Sequence, residues 1–266
     1  WARFLPHYAK VREIVDSGVL GPILSIHADH GQRLADQGIA RLIEPDLAGG
    51  ALLDLGIYPV SFAHMILGNP SHITSKAVMT DKGVDGQTSM IFSYNSGAQA
   101  VLTTTMIEQT PCRAVVAGLN GWLEIDRTFY NPASMRVIMH DGTTTEYPTD
   151  YKGHGLREQA KEFERVVRSG AKNSPILTPD ESIEIMGSLD EIRRQIGWAK
   201  TFGLDLHEIS PQEAQNLFPY IDLEGVVGAC YMASDGQVDP SQLAMALAAG
   251  ALLGMSHCPG RRGIDG

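Results

Sequence analysis

The chain has 266 residues, 43% of them hydrophobic, which is enough to bury a sizeable core in one or two domains. A formal net charge of −10 and a pI near 5.3 argue against nucleic acid and against an anionic membrane surface as partners. No uninterrupted apolar run reaches the roughly eighteen residues of a membrane span, and Cys112, Cys230 and Cys258 form no C-x-x-C pair, so a reduced, cytoplasmic setting is expected.

Residues 2–18 carry Phe4, Ala9, Val11, Ile14 and Val15 near a 3.6 period and stop at Gly18, which predicts a helix. Gly21-Pro22 turns the chain into an expected strand over 23–31. A polar loop over 32–48 leads into a second helix that ends at Gly68-Asn69-Pro70. From Ser71 to Pro148, short runs rich in Val, Ile, Thr, Tyr and Met alternate with turn residues such as Asn95-Ser96-Gly97 and Asp141-Gly142, the pattern of an antiparallel meander. Two helices follow, over 155–169 and 179–197. Strands and helices segregated in this way predict an α+β fold, a mostly antiparallel open sheet with helices on one face. Beyond Trp198, Ser210-Pro211-Gln212-Glu213 is a capping box with proline at the first helical position. A strand is expected over 226–232 and a capped helix near Asp239-Pro240, together a short α/β extension. The Gly/Pro/Arg-rich residues 254–266 read as a disordered tail.

No G-x-G-x-x-G lies between a strand and a helix, and there is no Walker loop, H-E-x-x-H or G-x-S-x-G. His27 and His30, three apart on a strand, point to opposite faces and cannot share a metal. The informative segment is Gly49 to Pro59, Gly-Gly-Ala-Leu-Leu-Asp-Leu-Gly-Ile-Tyr-Pro. Read as the first turns of a helix, it puts Asp54 and Tyr58 on one face at i, i+4, with glycines that admit close approach of another backbone, a cofactor or a substrate.

Several segments in order, Trp1-Ala2-Arg3-Phe4-Leu5-Pro6, Gly49 to Pro59, Gly83-Val84-Asp85, Ser174-Pro175 and Asp190-Glu191-Ile192-Arg193, resemble the C-terminal part of the Gfo/Idh/MocA oxidoreductases. The nearest branch is the dihydrodiol / D-xylose dehydrogenases, and the likeness runs over residues 1–195. The resemblance implies hydride transfer between NADP or NAD and a sugar or diol hydroxyl, with Tyr58 as acid/base and Asp54 orienting it or the substrate. It implies an aromatic pocket wall from Trp1, Tyr130 and Tyr151, with His30 where relatives often carry an aromatic residue. Near Leu156 and Gln159 the branch usually has Tyr and Glu. It further implies a homodimer through the sheet. The family's Rossmann domain and its catalytic lysine precede the point where this sequence starts, so the expectation is a fragment, inactive alone. A tyrosine ordinarily titrates near 10 and needs a cation beside it to act near neutrality, the role that lysine would fill.

The tail resembles something else. Phe202-Gly203-Leu204-Asp205-Leu206, Leu217-Phe218-Pro219 and Asp235-Gly236-Gln237-Val238-Asp239-Pro240 look like an internal piece of FAD-dependent amine oxidoreductases of the dimethylglycine and sarcosine dehydrogenase kind. That piece, over 196–253, implies FAD for its parent only. Two incomplete enzymes meeting at 190–200 imply a chimeric reading frame. The alternatives are a non-catalytic dimerisation or binding module, and a flavin-dependent amine dehydrogenase fragment.

Overall fold

The computed structural model describes residues 1–196, 206–217, 219, 223 and 229–232. They fall in two compact units, Trp1–Gly203 and Leu204–Gly266. In the first unit the strands are β1 (Ile23–Gly31), β2 (His72–Met79), β3 (Asp85–Ser93), β4 (Gln99–Thr105), β5 (Ala114–Gly118), β6 (Gly121–Ile125), β7 (Met135–Met139) and β8 (Thr144–Tyr147). They form one open sheet in the order β2-β3-β4-β1-β5-β6-β7-β8. All pairs are antiparallel except β1 with β4, which run parallel. The meander is therefore split. β1, far earlier in sequence, is inserted at its centre, and the long β1–β2 connection carries the helix that bears Tyr58.

The period-2 pattern decides which face is covered. Thr88, Met90 and Phe92 on β3, Ala100, Leu102 and Thr104 on β4, and Ile26, Ala28 and His30 on β1 are buried beneath the helices. The opposite side carries a cross-strand row, Thr74, Ile91, Val101, His27, Val115, Glu124 and Arg136, that is half-buried to exposed. His27 and His30 do lie on opposite faces.

The Ile57–Leu67 helix buries Val60, Phe62, Ala63 and His64. Phe62 also meets Tyr8 and Phe129 edge-on at 5.6 Å, and each fully buried aromatic side chain contributes roughly 1.5–3 kcal/mol. The Pro179–Gln195 helix starts on a Thr178 cap that accepts from the Glu181 N–H. It joins the Ile57–Leu67 helix through a 2.9 Å hydrogen bond between His64 Nε2 and Ser188 Oγ. Buried Arg3 donates to Glu181 at 2.5 Å and to the Ser61 carbonyl, tying the start of the chain to both helices.

Two expectations change. The helix over 2–18 is broken into a 3-10 turn, Ala2–Phe4, and a helix, Pro6–Asp16, because Leu5 precedes proline and is held extended. Within Pro45–Leu67 an 18-residue window has a mean hydropathy of 1.4, long and apolar enough to cross a membrane, although the sequence shows no unbroken apolar run there. Its apolar residues Leu52, Leu55, Val60 and Phe62 are instead buried in the core, which accounts for the composition.

In the second unit Leu206–Ile209 pairs antiparallel with Ala229–Met232. The Pro211–Leu217 helix has the expected capping box: Ser210 Oγ accepts from the Glu213 N–H at 3.2 Å, and Glu213 Oε2 from the Ser210 N–H at 2.8 Å. The helix expected near Asp239-Pro240 and the tail 254–266 lie outside the described residues.

A buried carboxylate fixes the start of the central helix. Asp85 Oδ2 accepts from the Leu52 N–H at 2.7 Å and from Thr88 Oγ1 at 2.8 Å. Gly50, at φ 122°, passes so close that a Cβ there would lie 2.1 Å from Asp85 Oδ1. Burial pushes the Asp85 carboxyl up to about 6, against the lowering effect of its hydrogen bonds. A folded pKa above the unfolded value means that the unfolded chain ionises first as pH rises. Stability should therefore fall between about pH 4 and pH 6, by on the order of 2–3 kcal/mol, and level off above. Denaturant titrations of Asp85→Asn should lose that slope relative to the parent. Gly50→Ala should be destabilised by more than about 2 kcal/mol at any pH, from strain and the clash.

Candidate active site

The segment Gly49 to Pro59 is helical from Ala51 onward, but Leu52–Gly56 is wound as a π-helix before the α-helix begins at Ile57. Such i→i+5 turns open the backbone ladder locally. Pro59 has no N–H to offer the Leu55 carbonyl four residues back. His30 Nδ1, from the buried face of β1, donates to that carbonyl at 3.0 Å. A carbonyl can only accept, so this bond assigns the proton to Nδ1 and leaves Nε2 as an acceptor. Gln32 supplies the donor, its Nε2 lying 2.8 Å from His30 Nε2. The same amide nitrogen donates to Tyr130 Oη at 2.9 Å.

An aromatic cluster assembles on this frame. His30 stacks on Tyr130 at 3.9 Å, and both rings lie 5.0 Å from Tyr58. The Trp1 indole N–H donates to Tyr58 Oη at 3.1 Å, with the rings edge-on at 6.2 Å. Since the indole can only donate, the Tyr58 hydroxyl proton is free to point elsewhere. Burial pulls His30 down to about 4, so the ring is neutral at physiological pH. Burial likewise pushes Tyr130 up to about 12, helped by the Cys112 thiol beside it. His30 is held by two hydrogen bonds, and the Tyr58 and Tyr130 hydroxyls each accept one bond, from Trp1 and Gln32, and each keep a proton to donate. Cys112 is a free, buried thiol.

The residues expected from sequence are only partly brought together. Trp1, His30, Tyr58 and Tyr130 form one cluster. Asp54 makes no hydrogen bond to Tyr58, because the π turn spoils the i, i+4 alignment; its Oδ1 pairs with Arg41 at 2.6 Å on the half-exposed side. Tyr151 donates to Glu158 at 2.6 Å and lies under the Arg157 guanidinium at 4.6 Å, without a ring contact to the cluster. Gln32 was missed. It opens the segment read as a loop, and the available signal was its position two residues beyond His30 on a strand, which gives both side chains the same face. No metal-binding cluster of His, Cys, Asp and Glu exists among the described residues.

Comparison with known proteins agrees with the fold. Residues 8–124 match the GFO/IDH/MocA C-terminal domain, and residues 154–255 match the FAD dependent oxidoreductase family. The second match starts well before residue 195, so it takes in the Arg157–Ser169 and Pro179–Gln195 helices of the first compact unit. The trans-1,2-dihydrobenzene-1,2-diol dehydrogenase of Xenopus tropicalis is 30% identical over 204 residues, covering 74% of this chain and 61% of that protein. The mouse (Mus musculus) enzyme is 31% identical over 207 residues, covering 74% and 60%. The chain thus spans about three fifths of the length of these curated relatives. Among solved structures, an aldose-aldose oxidoreductase from Caulobacter crescentus, complexed with glycerol, superposes with a TM-score of 0.64 at 24% identity, over 73% of this chain and 59% of the other. A 3-ketoreductase from Actinomadura kijaniata, in complex with NADP and TDP-benzene, gives 0.63 at 24% identity, over 73% and 61%. At those identities the likeness is one of fold.

Ring-nitrogen NMR tests the assembled network. His30 should show the Nδ1–H tautomer and stay neutral until the pH falls to about 4. Gln32→Glu, which replaces a donor to Nε2 with a carboxylate, should raise its titration by more than about one unit. An Nε2–H tautomer, or titration near the ordinary histidine value in the parent chain, would contradict the hydrogen-bond scheme.

Proposed function

We propose, from the match of residues 8–124 to the GFO/IDH/MocA C-terminal domain family, that this chain is the substrate-side domain of an NAD(P)-dependent oxidoreductase, acting on a sugar or trans-dihydrodiol hydroxyl. The observation that carries the reading is the Tyr58 hydroxyl, which accepts from Trp1 and keeps its own proton free beside the His30–Tyr130 stack. Flat, largely neutral walls with two hydroxyl groups suit a polyol or a ring diol. A bound nicotinamide supplies the hydride acceptor for alcohol oxidation. In reduction the Tyr58 hydroxyl gives its own proton to the carbonyl oxygen as the hydride arrives. In oxidation the Tyr58 oxygen must first have lost that proton to solvent, and as phenolate it takes the hydroxyl proton while the carbinol C–H leaves as hydride. The Trp1 N–H stays bonded to that oxygen in both states and holds it in place. No glycine-rich phosphate loop lies among the described residues, so these side chains fit the substrate rather than the dinucleotide.

Further parts of the reading are that the chain is inactive without a dinucleotide-binding domain, that it pairs as a homodimer through the open sheet face, and that it works in a reducing, cytoplasmic setting. A chimeric origin, joined near 190–200, belongs to this reading; the FAD-dependent family match supports a second parent for the later residues, although it begins before that junction, at residue 154. In that reading FAD belongs to the parent of the second unit alone.

The test is complementation. Joined to the dinucleotide-binding domain of a dihydrodiol dehydrogenase relative, the chain should oxidise a trans-dihydrodiol or an aldose with NADP. Tyr58→Phe should lower kcat by about 10²–10⁴-fold with little change in cofactor affinity. Turnover unaffected by that substitution would remove Tyr58 from proton transfer. A correctly folded, dimeric and inert product would favour the non-catalytic module.

A further inference from the structure

We propose that the concavity between Arg113 and Arg127 is a binding site for a phosphate or carboxylate group of a small anionic ligand, a site separate from the Tyr58 cluster. The concavity measures about 410 Å³ and is lined by Gln109, Thr110, Pro111, Arg113 and Arg127. In a chain of net charge −10 an arginine with no carboxylate in contact is unusual, and here two line one space. The other arginines of the described residues are engaged, Arg41 with Asp54, Arg136 with Glu124 and Arg3 with Glu181 among them. Among the described residues neither Arg113 nor Arg127 has a carboxylate within 4.0 Å, and neither guanidinium makes a hydrogen bond.

The carboxylates nearby are committed. Both Asp29 oxygens accept backbone N–H groups, from Cys112 at 2.8 Å and Arg113 at 3.0 Å. Glu124 is bonded to Arg136 and to the Trp122 indole, and the Arg113 charge acts on it through space without a contact pair. Asp126, next to Arg127 in sequence, acts electrostatically on Arg136 and makes no contact pair with Arg127. The uncharged wall is fixed as well. Gln109 Nε2 donates to the Gly31 and Thr110 carbonyls, and Thr110 Cγ2 lies 2.4 Å from where a Gly31 Cβ would sit. Gly31 stands between His30 and Gln32, so this wall is braced against the strand that carries the aromatic cluster. What remains free to bind is a pair of planar, permanently charged forks, each matched to two oxygens of one oxyanion. A single tetrahedral phosphate or planar carboxylate seated in the concavity would meet both forks.

The experiment is an NMR titration of the full chain, following arginine Nε–Hε signals with inorganic phosphate and, separately, with malonate; the tighter of the two identifies the source chemistry. The expected result is a saturable shift of the Arg113 and Arg127 signals alone, with affinity reduced about tenfold in either Arg113→Gln or Arg127→Gln. Both side chains are exposed, and an unchanged melting temperature in the variants confirms that the fold is kept. A non-saturating drift shared by all arginines would overturn the proposal. So would variants that change the mass of the particle in solution without altering the anion response, which would assign the two arginines to a contact between copies.

Discussion

One missing hydrogen governs the site. Pro59 cannot donate to the Leu55 carbonyl, and the His30 ring of the central strand fills that position at 3.0 Å. The Ile57 N–H also reaches that carbonyl, so the ring supplies its second hydrogen bond, worth roughly 0.5–1.5 kcal/mol, and is held where the helix can use it. Once Nδ1 is committed, the rest follows by elimination. Nε2 must accept, Gln32 is placed to donate, and the same amide nitrogen fixes Tyr130. The His30–Tyr130 stack then forms the floor against which Tyr58 stands. Each step is an ordinary hydrogen bond, but the order is imposed by a proline in the first turn of a helix.

The helix is anchored at its start by a second constraint of the same kind. Asp85, the first residue of β3, reaches the Leu52 N–H across a glycine that no other residue could replace without a clash. The two anchors, Asp85 on Leu52 and His30 on Leu55, hold the π turn from opposite strands. They fix a segment whose own ladder is interrupted, and so make the position of Tyr58 a property of the sheet rather than of the helix alone. Neither anchor is a full ion pair. His30 is neutral, and Asp85 is pushed toward its protonated form. The neutral His30 anchor specifies geometry without the desolvation cost of a buried charge, whereas the Asp85 anchor carries that cost once it ionises above about pH 6.

Much of this was legible in the sequence, for identifiable reasons. β1 was found with its observed limits because Gly21-Pro22 and the polar residues after Gly31 bound a β-rich run. The capping box at Ser210 was legible because both partners lie within one turn. Tyr58 stood out through the residues around it. What escaped was non-local. Insertion of β1 between β4 and β5 depends on pairings dozens of residues apart. The π turn that separates Asp54 from Tyr58 depends on Asp85 and on Thr104, whose hydroxyl bonds the Ala51 and His30 carbonyls. Gln32 looked like loop because its importance lies in a partner 98 positions away. Tyr151, aromatic and near the expected pocket in sequence, engages Glu158 and Arg157 instead.

The measurement that addresses this account most directly is a double-mutant cycle on folding stability between His30→Phe and Pro59→Ala. Alanine at 59 restores the helical N–H, so the Leu55 carbonyl no longer depends on His30. The loss of the Gln32 bond is common to both backgrounds and cancels. The account predicts that His30→Phe costs less in the Pro59→Ala background than in the parent, with a coupling of about 1 kcal/mol or more. Additivity of the two substitutions to within about 0.3 kcal/mol would mean that the proline does not set the histidine, and would contradict it.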